Sequence, residues 1–444
     1  MTENLINSAE PEDMQTAFIR EAIWHGELTE ANSMLALYPE LATQSIHTAA
    51  ILGNLEVVRG FLDADPALAT ATAAPYGGNA LVYLCMSKYL RLDKSRNNDF
   101  LRTARLLLEA GVDANSGFWT KGDYPEFETA LYGAAGIAHH AELTKLLLEY
   151  GADPNDGEAV YHSPETYENG AMSALVETGK VTQEGLVLML IRKHDFHDYD
   201  GVKYLLELGV DPNGHWGTAS PFHHALMRDN DSAIITLLLD HGGDPQAITH
   251  GMTVAARAAR EGRGDVLAIF KKRGLPYTLE GVDRLIEACA LGNNELVTTI
   301  LKQEPTFLDQ MLAVSGTLLA KFAGTGNVAG VRQLLDSGVK VDAVFHEGDG
   351  YFEIPKNSFA IHVAAWRGRH EIVQLLVDHG SPVDTPDQNG RTPLQLAVRA
   401  CVDSYWTDRR SPESVEILLK AGANSAQISL PTGYKAIDHL LLPS

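Results

Sequence analysis

The sequence repeats itself, and the period constrains the fold more than any other property. Residues 357–384, NSFAIHVAAWRGRHEIVQLLVDHGSPVD, pass from an apolar segment with the small pair Ala364 and Ala365 through a turn at Gly368. They continue to Ile372, Val373, Leu375 and Leu376 and leave at Gly380. Apolar residues at helical spacing on both sides of the turn predict a helix-turn-helix unit, and the exit glycine supplies the positive φ that a helix end needs. The same signal recurs from Thr129 (TALYGAAGIAHHAELTKLLLEYGADPN), from Ser220 (SPFHHALMRDNDSAIITLLLDHGGDPQ), and as RTPLQLAV from Arg391 with VEILLKAGAN from Val415. Gly242 follows the exit glycine Gly209 by 33 residues and Gly274 follows Gly242 by 32. Between Gly338, Gly380 and Gly422 the step widens to 42, which implies insertions.

These units resemble ankyrin repeats, whose TPLHxAA signature is matched at Thr392, Pro393 and Leu394 and whose LLL-x-x-GADPN exit is matched from Leu146 to Asn155. The resemblance covers almost the whole chain. It implies an all-α ankyrin-repeat solenoid of about 12 helix-turn-helix units with short β-hairpin fingers and enlarged loops. Length alone would suggest two or three globular domains. The period predicts instead a frayed N-terminus over 1–13 and one array over 14–444, sealed by a capping half-repeat at about 430–444. The order of insertions resembles that of a group of free-standing bacterial ankyrin-repeat proteins of unassigned activity, with similar RKHD-x-HD and GDGYF to RACVDSYW segments. That likeness brings no activity to any residue.

The formal charge is −23, from 35 basic and 58 acidic residues, which argues against a nucleic-acid partner because phosphate binding needs a basic face. Cys85, Cys289 and Cys401 are widely spaced and suit a reducing cytoplasm rather than a disulfide framework. The opening MTENLINSAEPEDM has no basic or apolar leader pattern, and no window approaches the roughly 18 apolar residues of a membrane span. Secretion and membrane insertion are not expected.

The departures from the period are where chemistry would sit. In the third unit, SKYLRLDKSRNND adds about ten residues to the turn between helices, against the period of a regular unit. The fourth is preceded by an aromatic finger, SGFWTKGDYPEF, and the fifth, Glu158 through Val181, fits the repeat poorly. The sixth places Lys193, His194 and Asp195 where other units carry Ala-Ala, with His197 near the turn glycine. The eleventh has an enlarged finger, VFHEGDGYFEIPKN, and the twelfth carries RACVDSYWTDRRSPES between its helices.

Two groups of candidate site residues follow. In the last full units, Arg409 and Arg410 are suited to clamp a carboxylate or phosphate, Tyr405 and Trp406 offer a flat apolar wall, and Asp349 and Tyr351 stand in the finger before them. The alternative is that this insertion folds over the end of the solenoid, with Trp406 in a satellite core and the arginines paired to Asp403 and Asp408. Finger and insertion are separated by about 13 Å along one helix, so they could close over the groove together without needing to touch. In the sixth unit, Lys193, His194 and Asp195 are the catalytic candidates if the chain is an enzyme, with His197, Trp216 and His224 as binding candidates nearby in sequence. HDFHD matches no metal-site pattern, and neither metal nor cofactor is expected. His223 occupies the consensus ankyrin histidine, which serves repeat-to-repeat hydrogen bonding, and His139 and His197 suit left-handed turn backbone. No phosphate loop or GxSxG elbow is present, and Cys401 reads as a buried apolar residue.

Stacked hairpins make a concave face of first helices and fingers, which is a binding surface by geometry. The expected function is a cytoplasmic binding scaffold for a protein partner or extended segment on that face. The alternative is a small-ligand binder, for a small anion, or an enzyme of the hydrolase or lyase type using the polar insertions of the sixth, eleventh and twelfth repeats.

Overall fold

The computed structural model describes residues 13–441. The expected frayed segment therefore lies outside the described residues except at Asp13, which caps the first helix through Thr16 N–H. The last residues of the proposed cap, 442–444, also lie outside them. The architecture is an all-α repeat, with antiparallel helices in pairs and four two-stranded hairpins among the described residues. The chain divides into two compact units, residues 1–217 and 218–444.

In the first unit the pairs are Met14–Ala22 with Leu28–Leu37, Ile46–Ile51 with Leu55–Ala64, and Ala80–Cys85 with Asn97–Glu109. The first helix of the fourth pair, Ala130–Tyr132, continues as a π-helical turn over Gly133–Ile137 before Ala141–Glu149. The poorly fitting fifth unit does form two helices, Gly157–His162 and Gly170–Val176, and Gln183–Asp195 with Tyr199–Glu207 completes the set. The extra residues of the third unit fold as a short helix, Lys88–Leu92, and a 3-10 turn, Lys94–Arg96. The aromatic finger is a hairpin pairing Gly117 with Thr129, Phe118 with Glu128 and Trp119 with Phe127.

In the second unit the pairs are Pro221–Met227 with Ser232–Asp240, Val254–Arg260 with Gly264–Lys272, and Asp283–Ala290 with Asn294–Gln303. An additional helix, Thr306–Ala313, precedes Ser315–Thr325 with Val328–Asp336. Ala360–Trp366 with His370–Asp378 and Pro393–Asp403 with Glu413–Lys420 follow, and Lys435–Leu441 closes the unit with Ile437 buried. The finger of the eleventh repeat pairs Val344 with Phe359 and Phe345 with Ser358.

The repeat signature has a physical cause at each position. The exit glycines Gly111, Gly151, Gly209, Gly242, Gly274, Gly338, Gly380 and Gly422 all have φ between +64° and +95°, and a Cβ there would meet nothing within 4 Å. Backbone conformation, not space, selects glycine at these ends. In the regular units the turn before the second helix is also left-handed. His139, His197 and Asp229 take that position at φ of +48°, +50° and +54°, where Gly53, Gly262, Gly292 and Gly368 stand elsewhere. The consensus histidine bridges repeats in both units: Nε2 of His47, His223 and His362 lies 2.8, 3.2 and 2.8 Å from the carbonyls of Ala71, Ala247 and Thr385. The asparagine of the exit loop does the same, since Asn115 Nδ2 donates to Gly151 O at 3.0 Å and its Oδ1 accepts from Asp153 N–H at 2.8 Å.

Candidate functional site

The second unit contains a contact that a straight row of nearest neighbours does not make. Asp229, in the turn of the seventh repeat, accepts from Arg367 Nη2 at 2.8 Å and Arg369 Nη2 at 2.9 Å, in the turn of the eleventh. With helix axes about 8–10 Å apart, turns four repeats apart would lie some 30–40 Å from each other in a straight stack. The stack is therefore bent back on itself here. Gly262 shows where. At φ +75° a Cβ on this residue would come within 2.5 Å of the Phe322 ring, and Asn327 Nδ2 donates to Gly262 O and to Ala290 O, both at 2.7 Å. Close approach and left-handed backbone together leave glycine as the residue that fits.

The bend gathers charge. Arg263 Nη1 lies 3.5 Å from Asp229 Oδ1 and donates to Asn230 O at 2.7 Å, while its Nη2 reaches Asp265 at 2.7 Å. Burial lowers the Arg369 pKa to about 9, with Arg409, Arg367 and Arg263 pushing the same way against Asp229. Lys321 bridges Glu261 at 3.2 Å and Asp349 at 3.0 Å. These groups line a cavity of about 20 Å³ between Asp229, Glu261, Lys321, Asp349 and Arg367, which is room for about one water.

The finger and the last insertion meet across Arg367. Its guanidinium carbon lies 3.6 Å from the Phe352 ring centroid and 4.9 Å from that of Trp406, and the two rings are 6.3 Å apart. Trp406 Nε1 donates to Trp366 O at 3.1 Å and Trp366 Nε1 to Phe352 O at 2.7 Å, so the insertion is stitched to the finger. Of the residues selected from sequence, Trp406 and Asp349 thus belong to this joint. Tyr351 packs under Arg228 at 4.1 Å, and Tyr405 is 83% exposed. Arg410 donates to Ser404 O within its own loop. Arg409 Nε is 3.8 Å from Asp408, and its Nη1 is buried with no partner among the described residues. Asp403 pairs with Arg399 at 3.4 Å rather than with either of these arginines. Cys401 donates to Ser411 O at 2.9 Å, and burial pushes its thiol up to about 11. Arg367 and Asp229, the centre of the arrangement, were not singled out by sequence because each sits at an ordinary turn position.

In the first unit, Lys193 is fully buried. Its Nζ donates to Asp198 Oδ2 at 2.8 Å and to Thr166 O at 2.6 Å. Burial lowers its pKa and the Asp198 carboxylate opposes that. Asp198 also accepts from Asn169 at 3.0 Å and caps the following helix through Gly201 N–H at 3.1 Å. Asp195 pairs with Arg192, which also holds Glu165 and lies 4.3 Å over the Tyr161 ring. His194 is buried beside Lys193, and His197 occupies the left-handed turn. Trp216 is partly exposed near the end of this unit, whereas His224 belongs to a helix of the other unit.

The sequence reading missed an acid-rich group around the aromatic finger. His162 stands between Glu158 at 3.3 Å and Glu165 at 2.9 Å. Burial works against its charge, yet the two carboxylates raise its pKa to about 9. Glu128, on the second finger strand, is 3% exposed, and its Oε2 has no partner among the described residues. Burial, with Glu158, Glu126 and Asp156 adding to it, raises its pKa to about 7 against the pull of His162. The Glu158-x-x-x-His162 spacing on one helix was the available signal. No group of His, Cys, Asp and Glu among the described residues is arranged to hold a metal ion.

Comparison with known proteins locates the repeat signature. Residues 345–428 match the family model described as ankyrin repeats (3 copies), so ankyrin repeats are present in this chain. The chain is 32% identical over 100 residues to serine/threonine-protein kinase 12 of Arabidopsis thaliana, an alignment covering 22% of this chain and 20% of that protein. It is 32% identical over 108 residues to the E3 ubiquitin-protein ligase KEG of the same plant, covering 24% of this chain and 5% of that one. The chain thus spans about a fifth of the first relative and a twentieth of the second. Among solved structures, the ankyrin repeat domain of Bcl-3, described as a unique member of the IkappaB protein family, matches at 22% identity and a TM-score of 0.24. That match covers 52% of this chain and 97% of that one. No helix among the described residues is long and apolar enough to cross a membrane.

Proposed function

We propose that this chain is a cytoplasmic binding scaffold that recognises a protein partner or an extended segment through the first-helix and finger side of its repeats, the concave side of an ankyrin array. One observation carries the reading: exposed aromatic side chains gather on the fingers and insertions. Trp119, Tyr124 and Phe127 stand on the finger of the fourth repeat at 63%, 90% and 37% exposure, and Tyr351 and Tyr405 stand on the finger and insertion of the last repeats. Tyrosine and tryptophan bring large contact area at low entropic cost, and they dominate interface hot spots. The ankyrin repeats of residues 345–428 support the same reading. Lys193, committed to Asp198 and Thr166, favours a scaffold over acid-base chemistry. The three buried free cysteines suit a reducing compartment.

The test compares wild-type protein with two variants, Trp119→Ala/Tyr124→Ala/Phe127→Ala and Tyr351→Ala/Tyr405→Ala. Partners captured from host lysate are purified and titrated back against all three proteins, with circular dichroism confirming the fold. At least one variant should bind the purified partner roughly tenfold or more weakly, a loss typical of a hot spot. Equal affinities for all three proteins would remove the finger surface from recognition.

A further inference from the structure

Between the eighth and ninth repeats, residues 275–280 run without helix, strand or turn, whereas the seventh and eighth are joined by a hairpin of Ile248–Thr249 with Met252–Thr253. The side chains of this segment alternate. Leu275, Tyr277 and Leu279 are wholly or partly buried and Pro276, Thr278 and Glu280 are exposed, which is the period of an extended strand. No second strand pairs with it among the described residues. The Leu275 N–H donates to Phe270 O at 3.0 Å, but the N–H groups of residues 277–280 and the carbonyls of 275–279 have no hydrogen bond among the described residues. The segment is nonetheless held in place, because the Tyr277 ring packs edge-on to Phe270 at 5.8 Å and its hydroxyl donates to Glu287.

Successive residues of a strand direct their main-chain groups to opposite edges, so Tyr277 and Leu279 share one edge and Pro276, Thr278 and Glu280 the other. Proline has no N–H to give, which leaves the edge of Tyr277 and Leu279 as the one able to extend a ladder. An open groove of about 450 Å³ runs beside the segment. Residues 275–279 all line it, whichever way their side chains point, so the groove follows the backbone. Leu296, half-buried, and Ile300, 2% exposed, give it an apolar floor from the helix Asn294–Gln303. Its charge is one-sided. Glu287 is already met by Tyr277 and by Lys271 at 3.0 Å, whereas Arg284, exposed on the same helix, makes no ion pair or side-chain hydrogen bond among the described residues. In a chain of formal charge −23, this groove therefore presents an unmet positive charge.

We infer that this groove takes an extended segment of a partner protein, which adds as a strand along the edge of Tyr277 and Leu279. The partner's main chain pairs with those two residues, its alternate apolar side chains lie on Leu279 and Leu296, and an aspartate or glutamate meets Arg284. The surface uses none of the exposed finger aromatics, so recognition here and recognition by the fingers can each fail without the other.

The test uses the full chain and labelled, terminally blocked hexapeptides that alternate valine with aspartate or leucine with glutamate. A peptide alternating valine with lysine controls for charge. The acidic peptides N-methylated at odd or at even residues control for pairing, since each keeps every side chain and loses the donors of one edge. At least one acidic peptide should bind saturably, and one of its two methylated forms should bind about tenfold or more weakly, as expected for loss of main-chain hydrogen bonds. Arg284→Glu should weaken the acidic peptide several-fold, at an unchanged melting temperature, and favour the lysine peptide. Hydrogen exchange over residues 277–280 should be fast in the free protein and slowed by the bound peptide. Absence of saturable binding by both acidic peptides, equal binding of the parent and both methylated forms, equal binding by wild type and Arg284→Glu, or exchange over 277–280 that binding leaves unchanged would each overturn the assignment.

Discussion

Asp229 Oδ2 accepts one hydrogen bond from Arg367 and another from Arg369, residues 138 and 140 positions further along the chain. A single carboxylate thereby holds the turn of the seventh repeat against that of the eleventh. Arg367 and Asp229 are both more than nine-tenths buried at the side chain. Removing one partner of such a pair leaves charge in a low-dielectric interior, which costs more than the intact pair contributes.

Asp229→Asn isolates that charge, since asparagine tolerates left-handed backbone about as well as aspartate. We expect a loss of about 3–5 kcal/mol in urea unfolding. Hydrogen exchange should show the loosening concentrated in residues 225–232 and 345–370.

Glu128 and His162 give the first unit a pH-dependent stability. The Glu128 carboxyl has a folded pKa of about 7 against an ordinary 4.5, so the folded state holds its proton longer and stability falls as pH rises through that window. His162 has a folded pKa of about 9 against 6.5, so its contribution is complete below 6.5 and lost as pH rises through 9. Glu128→Gln should raise the melting temperature at about pH 8 and leave it unchanged at about pH 4, below both carboxyl values. His162→Asn should flatten the decline on the alkaline side.

Lys193→Met strands the Asp198 carboxylate and should cost about 3 kcal/mol. Adding Asp198→Asn should recover part of that loss, because asparagine keeps the cap on the helix Tyr199–Glu207. A double-mutant cycle read by urea denaturation measures the coupling, and strictly additive losses would show that the pair does not interact.

Trp406→Ala removes the ring that stacks on Arg367 and holds the insertion to the finger. The expected cost is modest, about 1–2 kcal/mol for the ring and cation contacts. The sharper readout is trypsin. Cleavage after Arg409 or Arg410 should become several-fold faster while the rest of the chain stays resistant, as expected when a loop loses one of its tethers.

Local structure was legible in the sequence wherever a backbone requirement selects a residue type. The exit glycines, His139 and His197 in left-handed turns, and the bridging histidine at 47, 223 and 362 all stand where the repeat pattern placed them. The helices of the fifth repeat were harder to read, because Tyr161 to Gly170 is polar and carries no apolar period. The bend at Gly262 was not legible at all. A glycine at that turn looks like its counterparts at 53 and 292, and only the position of Phe322 shows that the close approach matters. The partners of Arg367 were hidden for the same reason, since periodicity reports neighbours in the array and says nothing of contacts that skip repeats.

The bond between positions 229 and 367 also bears on how this half of the chain can change over evolutionary time. An ordinary repeat array tolerates the gain or loss of a module, because each module answers only to the next. Here, deleting or duplicating any hairpin between the two tethered turns would pull carboxylate and guanidinium out of reach, so the count of modules in that interval is locked. Folding inherits the same restriction: the tether forms only after a long loop has closed, which makes this stretch slower to fold than an open array of equal length.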